Sequence, residues 1–393
     1  MLPKKLQKKI DQRATGNALR ALPEEQSGID FSSNDYLGFV SNIKLARSHA
    51  KKVNSLLRKH QLMPSGSTGS RLLTGNHSLF QEAETQIAAY HQAESALIFN
   101  SGYDANLGFF QSVPQRGDII LYDELVHASI RDGIRSSDAK GYKFSHLDIT
   151  QLNQLLQKYI KECDGHIYVA TESIFSMDGD NPDLFALVQV CKKYNAFLVI
   201  DEAHAVGVMG AKGQGLVQVY GLEHDVFARV ITFGKALGVH GAAVLGNEAL
   251  RTYLINFARS FIYTTGLPPH SVAGIITSYQ LLKEELEKEH HLLQQLRYNI
   301  NLFRSTAEDL GLYEYLIPSH AAIQCAIIPG NEHVKTLSRK LIQHNYDVKP
   351  ILAPTVPQGQ ERLRFCLHSF NTKAEIIEVL NLLDSSLNHL IKT

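Results

Sequence analysis

From about residue 78 to about residue 250, helical stretches alternate with short apolar runs: Ala96–Phe99, Ile119–Leu121, Ile167–Ala170, Phe197–Ile200 and Val230–Thr232. Each run ends in small or polar residues. Strands that are apolar throughout, rather than at every second position, must be covered on both faces, and helical crossovers are what parallel pairing requires. The pattern predicts an α/β fold with a mostly parallel sheet covered by helices. In such a sheet a ligand sits at the carboxyl ends of the strands, so the residues just after each run are the first candidates for chemistry.

The rest of the chain frames this core. Residues 1–25 place Leu2, Leu6 and Ile10 at helical spacing and then reach Pro23 and the turn ending at Gly28. This predicts a helical arm, assigned to residues 1–40. The large domain is expected over 41–280. Between about 281 and 310, Leu281-Leu282 to Leu286 and Leu292-Leu293 to Leu296 predict a long, charge-laced helix connecting domains. Strand candidates Ala322–Ile328 and Leu363–Leu367 with two helical stretches then predict a compact α+β domain, so 281–393 is read as interdomain helix plus small domain. A chain of 393 residues exceeds what one core of ~250–300 residues usually holds.

Charge and cysteines narrow the partners. Lysine plus arginine equal aspartate plus glutamate at 39 each, which gives no net field to draw nucleic acid or an acidic membrane. A small substrate fits better. Cys163, Cys191, Cys325 and Cys366 lie far apart without CxxC spacing and read as free thiols in a reducing compartment. No apolar run approaches the ~20 residues of a membrane helix, and no apolar segment follows the N-terminal lysines. The expectation is a soluble cytoplasmic protein with no metal site.

Three strand ends carry chemistry. Lys235, in Thr232-Phe233-Gly234-Lys235-Ala236-Leu237-Gly238, follows a strand and is flanked by small residues that let a flat ligand approach; alone it reads equally as a surface lysine in a turn. Phe197–Ile200 runs into Asp201-Glu202-Ala203-His204. An isolated Asp201 would be a helix cap, but with Lys235 it suggests the carboxylate that keeps a pyridinium nitrogen protonated. His204 could then reach the phenolic oxygen of the same cofactor. Asn100-Ser101-Gly102-Tyr103 opens a helix after Ala96–Phe99, a natural phosphate cradle of free amides. His127, and Glu172 with Ser176, also follow strand candidates.

With Asn34-Asp35-Tyr36-Leu37-Gly38, His127-Ala128-Ser129, Ser176-Met177-Asp178-Gly179-Asp180, Asp201-Glu202-Ala203-His204 and Phe261 to Pro269 in this order, the chain resembles the α-oxoamine synthases. These are a branch of the fold-type I pyridoxal-phosphate (PLP) enzymes, and the resemblance extends from about Phe31 to Leu367. Thr232–Leu245 and Pro354-Thr355-Val356-Pro357 before Arg362-Leu363-Arg364 resemble the members that condense L-alanine with a pimeloyl thioester in biotin synthesis.

The resemblance implies roles. Lys235 would carry PLP as a Schiff base and remove the Cα proton; Asp201 would pair with the ring nitrogen, His127 stack on the ring, and His204 and Ser176 address its phenolic side. Gly102, Tyr103 and Thr232 would hold the phosphate, with Thr264 or Thr265 reaching it across the interface of a homodimer. Arg364 would clamp the amino-acid carboxylate, supported by Asn34. Ser70 would bear on the choice of alanine or serine over glycine. Arg20 and Thr355 would contact the acyl group, delivered on coenzyme A or a carrier protein. Arg20 reads equally as a helix-end charge. Other members join serine or glycine to other acyl thioesters. Outside the branch, an aminotransferase would use the same lysine and aspartate, and an inactive interaction protein would not need Lys235, Asp201, His127 and His204 together.

Overall fold

The computed structural model describes residues 2–22 and 28–391, the last three by backbone alone. Of the turn expected from Pro23, residues 23–27 lie outside the described residues. The chain divides into two compact units, a larger one of residues 37–176 and 181–293 and a smaller one of residues 1–36, 177–180 and 294–393.

The larger unit is built on seven strands: β1 (Ser95–Phe99), β2 (Ile119–Asp123), β3 (Lys140–Phe144), β4 (Ile167–Glu172), β5 (Phe197–Asp201), β6 (Ala228–Thr232) and β7 (Ala242–Gly246). Their order across the sheet is β1-β7-β6-β5-β4-β2-β3. Only β7 runs against its neighbours, antiparallel to both β1 and β6, so all the other strands end at one edge. Side chains alternate faces along a strand. Leu97, Phe99, Ile120, Val199 and Val230 join a core with Phe109 and Phe110 of the helix Gly102–Ser112, while Ile98, Leu121, Val169, Ile200 and Ile231 are equally buried. Burial on both faces is why these strands read as unbroken apolar runs.

All five expected strands form, each one or two residues longer than its apolar run. Two more were not foreseen as strands. β3 is the sheet edge, and its sequence Lys-Gly-Tyr-Lys-Phe is mostly exposed, so it has no apolar run to announce it. β7 is Ala-Ala-Val-Leu-Gly, whose small residues carry a weak strand signal.

The helix expected over about 281–310 is instead two, Pro269–Leu286 and Leu292–Asp309. Between Leu286 and Leu292 stand Glu287, Lys288, Glu289, His290 and His291, which offer no apolar side chain to bury, and tertiary packing is what sustains most helices. Pro269–Leu286 packs against Ile43–Lys59 and Ser78–Tyr90. Among the described residues no helix is long and apolar enough to cross a membrane.

The smaller unit holds an antiparallel sheet of β8 (Ile323–Ile327), β9 (Lys349–Ile351) and β10 (Arg362–Cys366), with β10 in the middle. Ile29–Asp30 pairs in parallel with Tyr346–Asp347. Phe365 from β10 lies edge-on to Phe31 and packs against Phe303, with ring centroids 6.4 and 5.4 Å apart. The helix Lys4–Thr15 buries none of its side chains. The chain just after it is held by Asn331, which donates to the Gly16 carbonyl at 3.2 Å, and by Lys335, which donates to Asn17 Oδ1 at 2.7 Å.

Candidate active site

β6 ends at Thr232, and the next residues fold into a tight loop. The Phe233 amide donates to the Gly241 carbonyl, the Val239 amide to the Phe233 carbonyl and the Gly238 amide to the Lys235 carbonyl, at 2.9–3.0 Å. Phe233 and Ala236 are buried anchors, and between them Lys235 is half-buried with its Nζ 3.4 Å from Thr232 Oγ1.

Across from Thr232, β1 delivers Ser101 as the N-cap of the helix Gly102–Ser112. Its hydroxyl oxygen accepts the Asp104 amide at 3.1 Å. The amides of Gly102 and Tyr103 precede the first helical bond and find no protein acceptor among the described residues. A Cβ at Gly102 would fall 2.6 Å from Thr232 Cγ2, so glycine is what permits this approach of backbone to the threonine side chain. Free amides, a helix N-terminus and a threonine within reach of a lysine form a cradle that fits the phosphate of PLP. Asn100, just before it, donates to Thr264 Oγ1 at 3.1 Å and to the Thr265 carbonyl at 2.8 Å. Both threonines are thus tied to the cradle within one chain. The adjoining Gly266 amide donates to the Gly69 carbonyl at 3.0 Å, which places the Ser70 loop beside them.

At the end of β5, Asp201 is buried and accepts from the Ala203 amide through Oδ1 at 2.9 Å and from Asn106 Nδ2 through Oδ2 at 2.7 Å. The second hydrogen of that amide goes to Ser129 Oγ at 3.0 Å. Ser129 Oγ in turn lies 2.7 Å from His127 Nδ1, and its backbone amide 3.3 Å from the same nitrogen. The His127 amide donates to Glu172 Oε1 at 2.6 Å. Glu172, Asp201, His127 and Lys235 therefore belong to one electrostatic cluster. Burial, with Asp201 beside it, pushes the Glu172 carboxyl well above its ordinary value. Burial also lowers the His127 pKa; Asp201 opposes this, while Lys235 reinforces it.

His204 is buried in the turn after Asp201, and Ser176 is half-buried beyond the end of β4. Sequence reasoning singled out neither Asn106 nor Ser129. Asn106 was detectable in principle, as a lone amide on the helix face shared by Ala105, Phe109 and Phe110, where a buried polar group needs partners.

In the smaller unit, Arg364 projects from β10, buried, and donates through Nη2 to Asn34 Oδ1 at 3.1 Å and through Nη1 to Cys366 Sγ at 2.8 Å. Tyr36 donates to the same Asn34 oxygen at 3.0 Å, and burial raises its pKa so that it remains a donor. Arg362, two residues away, is paired with Asp178. Of the two arginines, Arg364 is thus the one set beside Asn34. Arg20 Nη2 donates to Thr355 Oγ1 at 3.1 Å, beside a groove of about 920 Å³ lined by Arg13, Ala18, Asn331 and Pro354.

Residues 26–382 match the family model of aminotransferase class I and II. The chain belongs to that family. Within it, an 8-amino-7-oxononanoate synthase of Emericella nidulans is 40% identical over 93% of this chain and 91% of its own length, and one of Marinobacter nauticus is 38% identical over 92% and 88%. Among solved structures, a Sphingomonas wittichii serine palmitoyltransferase superposes with a TM-score of 0.87 at 26% identity, covering 99% of this chain and 98% of that one. An 8-amino-7-oxononanoate synthase from Francisella tularensis gives 0.75 at 30%, covering 93% and 100%. The fold is that of the fold-type I transferases, the cofactor is PLP, and the chain is an acyltransferase of the α-oxoamine synthase branch.

Proposed function

We propose that this enzyme condenses L-alanine with a pimeloyl thioester, on coenzyme A or a carrier protein, to give 8-amino-7-oxononanoate, CO₂ and the free thiol. The 40% identity to the Emericella nidulans synthase over nearly the full length of both chains carries the reading. PLP, when bound, supplies the electron sink for loss of the Cα proton and later of CO₂.

The protein's own residues do the rest. Lys235 Nζ anchors the cofactor and takes the Cα proton. Asp201 holds a proton on the ring nitrogen, which needs a fixed, desolvated carboxylate. His127 covers the ring, while Ser176 and His204 face its phenolic side. The amides of Gly102 and Tyr103 and the Thr232 hydroxyl bind the phosphate, and Thr264 or Thr265, which Asn100 ties to this cradle, adds a further hydroxyl. Arg364, oriented by Asn34, binds the alanine carboxylate with a planar fork. Ser70 bears on the amino-acid side chain, and Arg20 with Thr355 recognises the acyl group. The buried free thiols Cys191, Cys325 and Cys366 support a cytoplasmic setting.

A second reading, serine joined to a fatty acyl thioester, is favoured by the similarity to serine palmitoyltransferase. Pure enzyme given L-alanine, glycine or L-serine, each with pimeloyl-CoA, pimeloyl-carrier protein or palmitoyl-CoA, separates the two. CO₂ release and an amino-ketone of the expected mass from alanine and a pimeloyl thioester support the first reading. Turnover only with serine and palmitoyl-CoA replaces it with the second.

A further inference from the structure

Asn106 has two amide hydrogens, and both are committed: one to Asp201 Oδ2, the other to Ser129 Oγ. Its Oδ1 is buried without a partner, so nothing on the oxygen side rewards turning the amide over. Because Ser129 Oγ accepts from Asn106, its own hydrogen is directed to His127 Nδ1, where the Ser129 backbone N–H also points. Two donors aimed at Nδ1 leave that nitrogen no room for a hydrogen of its own.

We infer that Asn106 and Ser129 form a one-directional relay that holds His127 as the neutral imidazole with its hydrogen on Nε2, while the same amide aims Asp201. Both are positioning residues. The inference rests on the reading of His127 as the ring-covering residue and Asp201 as the partner of the ring nitrogen. A neutral imidazole can lie on a protonated pyridine ring, whereas an imidazolium there would repel it and oppose the proton that Asp201 maintains. Hydrogen bonds to the neutral form lower a histidine's proton affinity, and burial acts in the same direction. Of the charges facing the ring, Asp201 and Asp132 favour protonation and Lys235 and Arg131 oppose it.

The test is nitrogen NMR of ¹⁵N-histidine protein, with His127 assigned from a His127→Gln variant, recorded with and without PLP. In the wild type, His127 is expected as the Nε2–H form, with no titration between about pH 6 and pH 8.5. In Ser129→Ala, where only the backbone amide still faces Nδ1, an apparent His127 pKa at least about one unit higher is expected, a tenfold gain in proton affinity. Asn106→Ala should show the same ring change together with a weaker PLP dissociation constant. A wild-type His127 found as imidazolium or as the Nδ1–H form at pH 7 overturns the relay, and this holds even if neither variant folds. An unchanged His127 signal in Ser129→Ala also overturns it. Failure of the wild type to bind PLP would instead sink the cofactor reading, leaving the cofactor-free spectrum to judge the relay.

Discussion

Arg20 donates to the Thr355 hydroxyl at 3.1 Å, joining residues 335 positions apart in sequence. The resemblance implies acyl recognition for both, and their contact gives that proposal a single location. Removing either should weaken thioester use while sparing the amino-acid half-reaction. Arg20→Ala is expected to raise KM for the thioester by roughly tenfold, ~1.4 kcal/mol, with a smaller effect on kcat. Thr355→Ala should do less, and the double variant should cost less than the two combined, because bonded residues are energetically coupled. Steady-state kinetics with the thioester varied at saturating alanine checks this.

Lys235→Ala removes the side chain proposed both to anchor PLP and to move the Cα proton. Turnover is expected to fall by roughly 10²- to 10⁴-fold at the least, the range lost with a general base. The absorbance band of lysine-bound PLP should vanish, while the cofactor should still be retained non-covalently through the Gly102 cradle. Residual turnover near the wild-type rate would remove Lys235 from the mechanism.

Much of this site was legible because chemistry and topology coincide: Asp201, Glu172 and Thr232 are the last residues of their strands, and an apolar run followed by a polar residue marks that place. The edge strand β3 was not legible, because Lys140, Gly141 and Lys143 face solvent and leave no apolar run. Nor did sequence separate Arg362 from Arg364 by their surroundings. They share a face of β10, and only the Asp178 pairing of the former and the Asn34 bond of the latter distinguish them. The role of Asn106 was not legible either, since its bond to Asp201 spans 95 positions and no local spacing reports a contact of that kind.

Glu172 predicts a pH signature. Burial first, and then Asp201, raise its native pKa well above the ordinary value, so the folded protein holds a proton that the unfolded chain releases near pH 4.3. Stability is therefore lost as pH rises from the unfolded value through the native one, by about 1.4 kcal/mol for each pH unit between them. Glu172→Gln keeps an oxygen for the His127 amide without the titration. It is expected to melt higher than the wild type at pH 7–8, with the difference vanishing below about pH 4. A Tm difference independent of pH would show that Glu172 does not titrate in this way.

The approach of Gly102 to Thr232 makes the sharpest packing prediction. Gly102→Ala puts a methyl group 2.6 Å from Thr232 Cγ2, well inside contact distance, so either the helix start or the strand end must shift. Overpacking of this kind costs roughly 1–3 kcal/mol, and here it falls on the amides and hydroxyl that would bind phosphate. PLP affinity should drop by roughly tenfold or more, by the same energy scale, while global stability changes less because Gly102 and Thr232 are only half-buried. The clash is with the threonine methyl and not with its hydroxyl. Thr232→Ser in the Gly102→Ala background removes that methyl, keeps the oxygen beside Lys235, and should restore most of the PLP affinity. Thr232→Val in the same background should not, since it retains the bulk and discards the oxygen. Fluorescence titration of the cofactor-free variants with PLP distinguishes these outcomes, and equal affinities in all three would mean that the phosphate is held elsewhere.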